Sequence, residues 1–146
     1  MAFSGSFMCT SFKKELLTAT HNFAASGGHT FKISLYDNTA TLDATTTAYT
    51  TSGELAAAGG YSTGGKVLAS NIDPATGGTT AFTSWTTNPS WTSATFTSYG
   101  ALIYNSSQSN KAVAVLDFGG AKTVSSGTFT IVLPSNDSSN AILRIA

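Results

Sequence analysis

A single cysteine, Cys9, excludes an intramolecular disulfide and a cysteine-based zinc site. Charge is scarce and balanced. Seven basic and seven acidic side chains make up 10% of the chain, so no net field favours nucleic acid, acidic substrates or anionic lipid. No stretch approaches the ~20 apolar residues of a membrane span. The first residues, MAFSGSFMCTSFKKELL, place no basic residue ahead of a long apolar run, so they do not read as a secretory signal. The expectation is a soluble product made in a reducing cytoplasm, with no cofactor, no nucleic acid and no membrane among its partners.

What is abundant points to strands. Apolar residues reach 41% of the 146 residues, too many for a disordered chain and enough for a core. Threonine and serine number 24 and 20, a composition suited to short strands joined by polar turns. One helix is expected near the start. Ser11 is placed to cap it, Phe12, Leu16, Leu17 and Phe23 fall near one face, and Gly27-Gly28 supplies the stop.

Beyond Gly28 the apolar period becomes two. In TFKISLY, Phe31, Ile33 and Leu35 share one face and Lys32 and Ser34 the other. DNTATLDATTTAYTTSGE reads as a turn-rich connection, and KVLASNI and TTAFTSW as strands broken at Asp73-Pro74 and at Pro89. SATFTSYGALIYN and KAVAVLDF form a hairpin about SSQSN, with a bend at Gly100. GGAKTVSSG reads as a further turn, TFTIVLP as a strand and AILRIA as the last. Seven or eight strands after one helix predict a mainly β protein: a single antiparallel β-sandwich, jelly-roll or immunoglobulin-like, with residues 1–10 as an N-terminal segment and 11–146 as one domain.

Catalytic signatures are missing. GGYSTGGK has the glycine-lysine spacing of a nucleotide-binding loop. However, Val67 stands where a Ser or Thr is needed for magnesium, and the flanks lack the strand before and the helix after. His21 and His29 lack neighbouring cysteines and read as packing or surface residues. Asp37, Asp43, Asp73 and Asp137 read as turn formers, whereas Asp117, inside VLDF, is a candidate partner for Arg144. The two glutamates are far apart in sequence. Catalytic, cofactor and metal residues are therefore all expected to be absent.

The candidates that remain are for interaction. Trp85 and Trp91 bracket TTNPS, where exposed indoles could stack on sugars, although Trp near strand ends more often fills a sandwich core. Phe3, Phe7 and Met8 would be costly to leave in water, at ~1.5–3 kcal/mol for each buried side chain, so the N-terminal segment is expected to dock on its own domain or on a neighbour.

The run SWTSATFTSYGALIYNSSQSNKAVAVLDFGGAKTVSSGTFTIVLPS with NAILRIA, preceded by FKKELLTATHNF and TFKISLYDNTATLDATTTAYTTSGE, resembles a family of small structural proteins of tailed bacteriophages. The resemblance covers the chain from about Phe12 onward and brings no catalytic residue with it. It implies a non-enzymatic virion protein, foremost a capsid cement or decoration protein. Such a protein would be made in the host cytoplasm, would be homo-oligomeric as a trimer or dimer, and would contact the major capsid protein or other virion proteins. A tail or baseplate accessory protein and a module binding host-surface carbohydrate are the alternatives.

Overall fold

A computed structural model describes residues 3–146. The longest elements are β6 (Ser90–Asn105) and β7 (Lys111–Thr130), paired as one antiparallel hairpin. Its tip is the SSQSN loop, with Ser109 and Asn110 at φ 52° and 57°, the left-handed conformation that tight hairpin turns favour. β2 (Phe31–Tyr36) adds to the other side of β6. The short β1 (Phe7–Met8) adds to β7 and β3 (Lys66–Val67) to β2, giving a sheet in the order β1-β7-β6-β2-β3. A second antiparallel sheet has the order β4-β5-β8, formed by Ala75–Gly77, Thr80–Thr83 and Leu143–Ile145. With one helix, α1 (Thr10–Leu17), these two sheets make the mainly β, sandwich-like architecture that the composition implies.

The alternation in TFKISLY is confirmed on one face, where Phe31, Ile33 and Leu35 are fully buried. The opposite face is not solvated as its polarity suggests. Ser34 and Tyr36 are also fully buried, under the 37–55 connection, and the Tyr36 hydroxyl donates to the Thr50 carbonyl at 2.7 Å. A connection that is polar in sequence thus closes one side of the sheet, contributing Ala40, Leu42 and Leu55 to the core.

The helix is much shorter than its apolar spacing suggests. Cys9, not Ser11, is the N-cap residue, and α1 ends at Leu17 because Ala19 turns left-handed at φ 53°. The amides of Thr18 and Thr20 and the Thr18 hydroxyl all converge on the Glu15 carbonyl, an alternative to helix that threonine offers the backbone. The break frees Phe23 from the helix and lets it stack on Phe31 at 4.3 Å between ring centroids. Leu17, placed by periodicity on the buried face, is 89% exposed.

GGAKTVSSG is no turn. It continues β7, with Lys122, Thr123 and Val124 opposite Ser98, Thr97 and Phe96. Its glycines and serines are absorbed as irregularities of the pairing: Gly119, Gly120 and Ser126 on β7 adopt positive φ, as does Ser93 on β6, and the register shifts at both ends of the stretch. KVLASNI likewise pairs as a strand only at Lys66–Val67, with an isolated bridge from Asn71 to Trp85.

The nucleotide-loop look-alike has a structural cause. A Cβ on Gly65 would lie 1.8 Å from the Ile33 carbonyl oxygen, and one on Gly59 would lie 2.1 Å from that of Thr95. The loop is pressed flat against β2 and β6, with Tyr61 as its plug, and glycine is what permits that approach. The Lys66 ammonium donates to the Ser90 carbonyl and lies 5.7 Å from the Trp91 ring centroid. Gly65→Ala is expected to lower stability by about 2–5 kcal/mol, strained backbone and overpacking combined. Gly27→Ala, in the same backbone region but facing open space, is expected to cost about 1–2 kcal/mol. Urea midpoints compare the two, and equal losses would contradict the close-approach account.

Candidate interaction surface

The sequence candidates separate into buried and accessible groups. Trp91 and Trp85 are 1% and 3% exposed. Trp91 packs among Tyr61, Phe96 and Phe129, and Trp85 against Phe23 and Phe31, with its indole N–H donated to Asn71 Oδ1 at 2.9 Å. Neither indole face is available to a sugar, because each ring fills the space between a loop and a sheet. As interaction residues both are corrected to core residues. Phe3 is also interior, its ring lying against Gly100, which has no side chain to obstruct it. The N-terminal segment therefore docks on its own domain through Phe3 and Cys9. Burial first, then the charges of Asp43 and Glu15, push the Cys9 thiol up to about 11.

Phe7 and Met8 remain half-buried on β1 and help to line a surface that the sequence did not disclose. Met8 borders three adjoining depressions. A cleft of about 370 Å³ runs between α1, the 21–24 segment, β5 and β8, walled by Phe12, Leu16, Phe23, Phe82 and Leu143. A second, about 520 Å³, lies over Leu16, Leu17 and Ile145, with Lys13 and Arg144 at its border. A third, about 430 Å³, separates Phe7 and Leu116 from Leu143 and Arg144. Leu17 and Ile145, 89% and 51% exposed, are the most prominent apolar groups here. The helical period places Leu17 near the apolar face of its helix, and its exposure, like that of Ile145 at the end of β8, depends on tertiary packing.

Two polar clusters hold the loops around this framework. In the first, His21 donates from Nε2 to Glu15 at 2.7 Å and accepts at Nδ1 from the Asn105 side-chain amide at 2.9 Å. The same amide nitrogen donates to His29 Nδ1 at 3.0 Å, and the Ser107 backbone N–H, donating to Asn105 Oδ1, fixes its orientation. Lys111 approaches the other Glu15 oxygen at 3.3 Å. Both His21 nitrogens are thus engaged, Nε2 tying the 18–30 segment to α1 and Nδ1 tying it to the hairpin tip. Among the described residues, no three of His, Cys, Asp and Glu gather as a metal site.

In the second cluster, Glu54 accepts from the Tyr49 and Tyr61 hydroxyls, each at 2.6 Å, and from the Gly64 amide at 2.7 Å. Tyr104 stacks on Tyr49 and donates to the Gly64 carbonyl. Desolvation pushes the Tyr36 and Tyr104 phenols up to about 12, and desolvation followed by the Glu54 carboxylate raises those of Tyr49 and Tyr61.

Three of the four aspartates read as turn formers behave so, whereas Asp73 accepts from the distant Ala25 amide instead. Asp37, Asp43 and Asp137 each accept from a backbone amide two residues on. Asp117 does the same for Gly119, and Arg144 donates instead to the Ser139 carbonyl, so the anticipated Asp117–Arg144 pair does not form. No family model, curated protein or solved structure matches this chain.

Asn105→Ala is expected to cost about 2–3 kcal/mol in urea unfolding, because it leaves His21 Nδ1 and the Ser107 N–H without a partner, whereas His29 Nδ1 keeps the Asn22 N–H. The raised phenols have a pH signature. Above the ordinary tyrosine value of about 10 the unfolded chain loses protons that the folded one retains, so stability present below about pH 10 is lost as pH rises towards 12. Urea midpoints at about pH 9 and about pH 11 measure this fall, which is expected to be shallower in Tyr61→Phe.

Proposed function

We propose that this chain is a non-enzymatic structural protein of a tailed-phage particle, acting through protein–protein contacts, with capsid cement or decoration as its specific role. The observation that carries the reading is the apolar surface of Met8, Leu16, Leu17 and Ile145 beside the edge strands β1 and β8. Isolated apolar side chains on a surface need no explanation, but a contiguous set opening into grooves marks a contact site. The resemblance of the Phe12-to-C-terminal sequence to small phage structural proteins supplies the kind of particle. Low charge supports the same reading, since few ionic groups need to lose water when such a surface is covered.

In this reading the protein is made in the host cytoplasm, forms a dimer or trimer, and joins the virion against the major capsid protein or another shell component. Many modest contacts, repeated over a lattice, hold it in place. A tail or baseplate accessory role uses the same surface and differs in location, which electron microscopy of labelled particles resolves. The carbohydrate-binding alternative loses its principal support with the burial of Trp85 and Trp91.

Leu17→Glu tests the surface directly. Because Leu17 is 89% exposed, its thermal midpoint is expected to match the parent. Binding to particles lacking the protein is expected to weaken on the order of tenfold or more, as for a central contact residue. Unchanged particle binding by this variant would remove α1 from the contact.

A further inference from the structure

Asn105 Nδ2 carries two hydrogens and gives them to different imidazoles, at His21 Nδ1 over 2.9 Å and at His29 Nδ1 over 3.0 Å. Three neighbours with fixed roles determine this pattern. The Ser107 backbone N–H can only donate, so Asn105 Oδ1 accepts from it and Nδ2 is the end of the amide that faces the rings. The ionised Glu15 carboxylate can only accept, so His21 bears a proton on Nε2 and offers a lone pair at Nδ1. The Asn22 backbone N–H donates to His29 Nδ1 at 3.2 Å, so that nitrogen is an acceptor as well. The fold thus specifies two neutral imidazoles, both protonated at Nε2.

The two rings differ in what a second proton meets. At His21 the added charge lies beside Glu15, which Lys111 also approaches, and the Phe12 and Phe23 rings pack around it. That carboxylate offsets the loss of the Asn105 bond. At His29 nothing offsets it. Its own segment presents the Asn22 N–H, and the hairpin tip presents Asn105, Ser107 and Gln108, with Gln108 Nε2 3.4 Å from His29 Nε2. The loop ahead of β4 presents Asn71, which donates to the His29 carbonyl, and Asp73, which is held by the Ala25 amide. Among the described residues His29 forms no ion pair. A proton on its Nδ1 sets the ring N–H against those of Asn22 and Asn105. The first of these is backbone and cannot reorient, and Ser107 holds the second. The ring is half-buried, so solvent protons reach it.

We propose that His29 is an acid-sensitive latch: neutral, it clasps the 24–30 turn to Asn22 and to the hairpin tip, and protonated, it lets the turn go. Phe23, stacked on Phe31, stays seated and is the pivot. Asn22 and Ala24 line the cleft of about 370 Å³ beside α1, so release loosens one of its walls. The unfolded chain takes up a proton at this position without losing those two bonds. The clasp is therefore intact above the ordinary histidine range, at about pH 6.5, and is lost as pH falls through it. The latch is a property of the fold and holds whatever partner the surface meets.

Nuclear magnetic resonance of the full chain tests it. Long-range proton–nitrogen spectra at about pH 8 are expected to show both histidines as the Nε2–H tautomer. From about pH 8 to about pH 5, protection factors, corrected for the intrinsic pH dependence of exchange, are expected to fall on the order of tenfold or more at the Asn22 and Thr30 amides. Those of Ile33 and Ile103, paired within the large sheet, are expected to hold. His29→Asn places an amide oxygen where Nδ1 stood, an acceptor that does not titrate, and is expected to keep the turn protected at both pH values. An Nδ1–H tautomer at His29, or protection at Asn22 and Thr30 that does not change with pH, would overturn the proposal in the parent chain alone. A fall that persists in His29→Asn would overturn it too, as would an equal fall at Ile33 and Ile103, since the whole fold and not the turn would then be opening.

Discussion

The pairing of β6 with β7 is the constraint on which the rest of the molecule depends. Sixteen residues on one strand and twenty on the other are joined at a five-residue tip, and every other layer is built on that ribbon. Near the tip it is flanked by β1 and β2, and its residues there are almost wholly buried. Towards its open end it loses those neighbours and is covered on one side by aromatic rings from Trp91, Phe96, Phe118 and Phe129. The largest single set of contacts between elements therefore follows from one local turn, and closing it commits the chain to the register of the larger sheet.

Around this ribbon the protein uses few long elements and many side-chain clasps. Backbone groups that a regular strand would satisfy are satisfied instead by Tyr61, Ser98, Asn71 and a series of aspartates. The outer edge of β2 shows the device clearly. β3 covers Lys32 and Ile33, after which the Tyr61 hydroxyl receives the Leu35 N–H and the Leu55 N–H reaches the Leu35 carbonyl. Buried polar side chains that are fully partnered make such irregular connections stiff, since any shift breaks several bonds at once.

How much of this was legible from residue order varied with the kind of signal. The hairpin about SSQSN, the alternation of Phe31, Ile33 and Leu35, and the turn role of Asp37 and Asp137 are set by neighbours along the chain, and they read correctly. The fate of GGAKTVSSG is set by pairing with a strand more than twenty residues earlier in the chain, so local turn propensity misled. Phe23 was correctly expected to be apolar and buried, yet a threonine-bonded turn delivers it where a helix was anticipated. The contact surface was the least legible feature. Phe7 and Met8 were identified from the cost of exposing them, whereas Leu17 and Ile145 resemble core residues until the packing around them is known.

Cys9 has a last consequence. Its thiol is fully buried and held in the protonated form, far from the thiolate that disulfide exchange and alkylation require. Folded molecules can be crowded at high density and carried from a reducing medium into an oxidising one without cross-linking through sulfur. The same atom becomes reactive once the N-terminal segment lifts from β7, which gives the molecule an intrinsic chemical marker of its own opening.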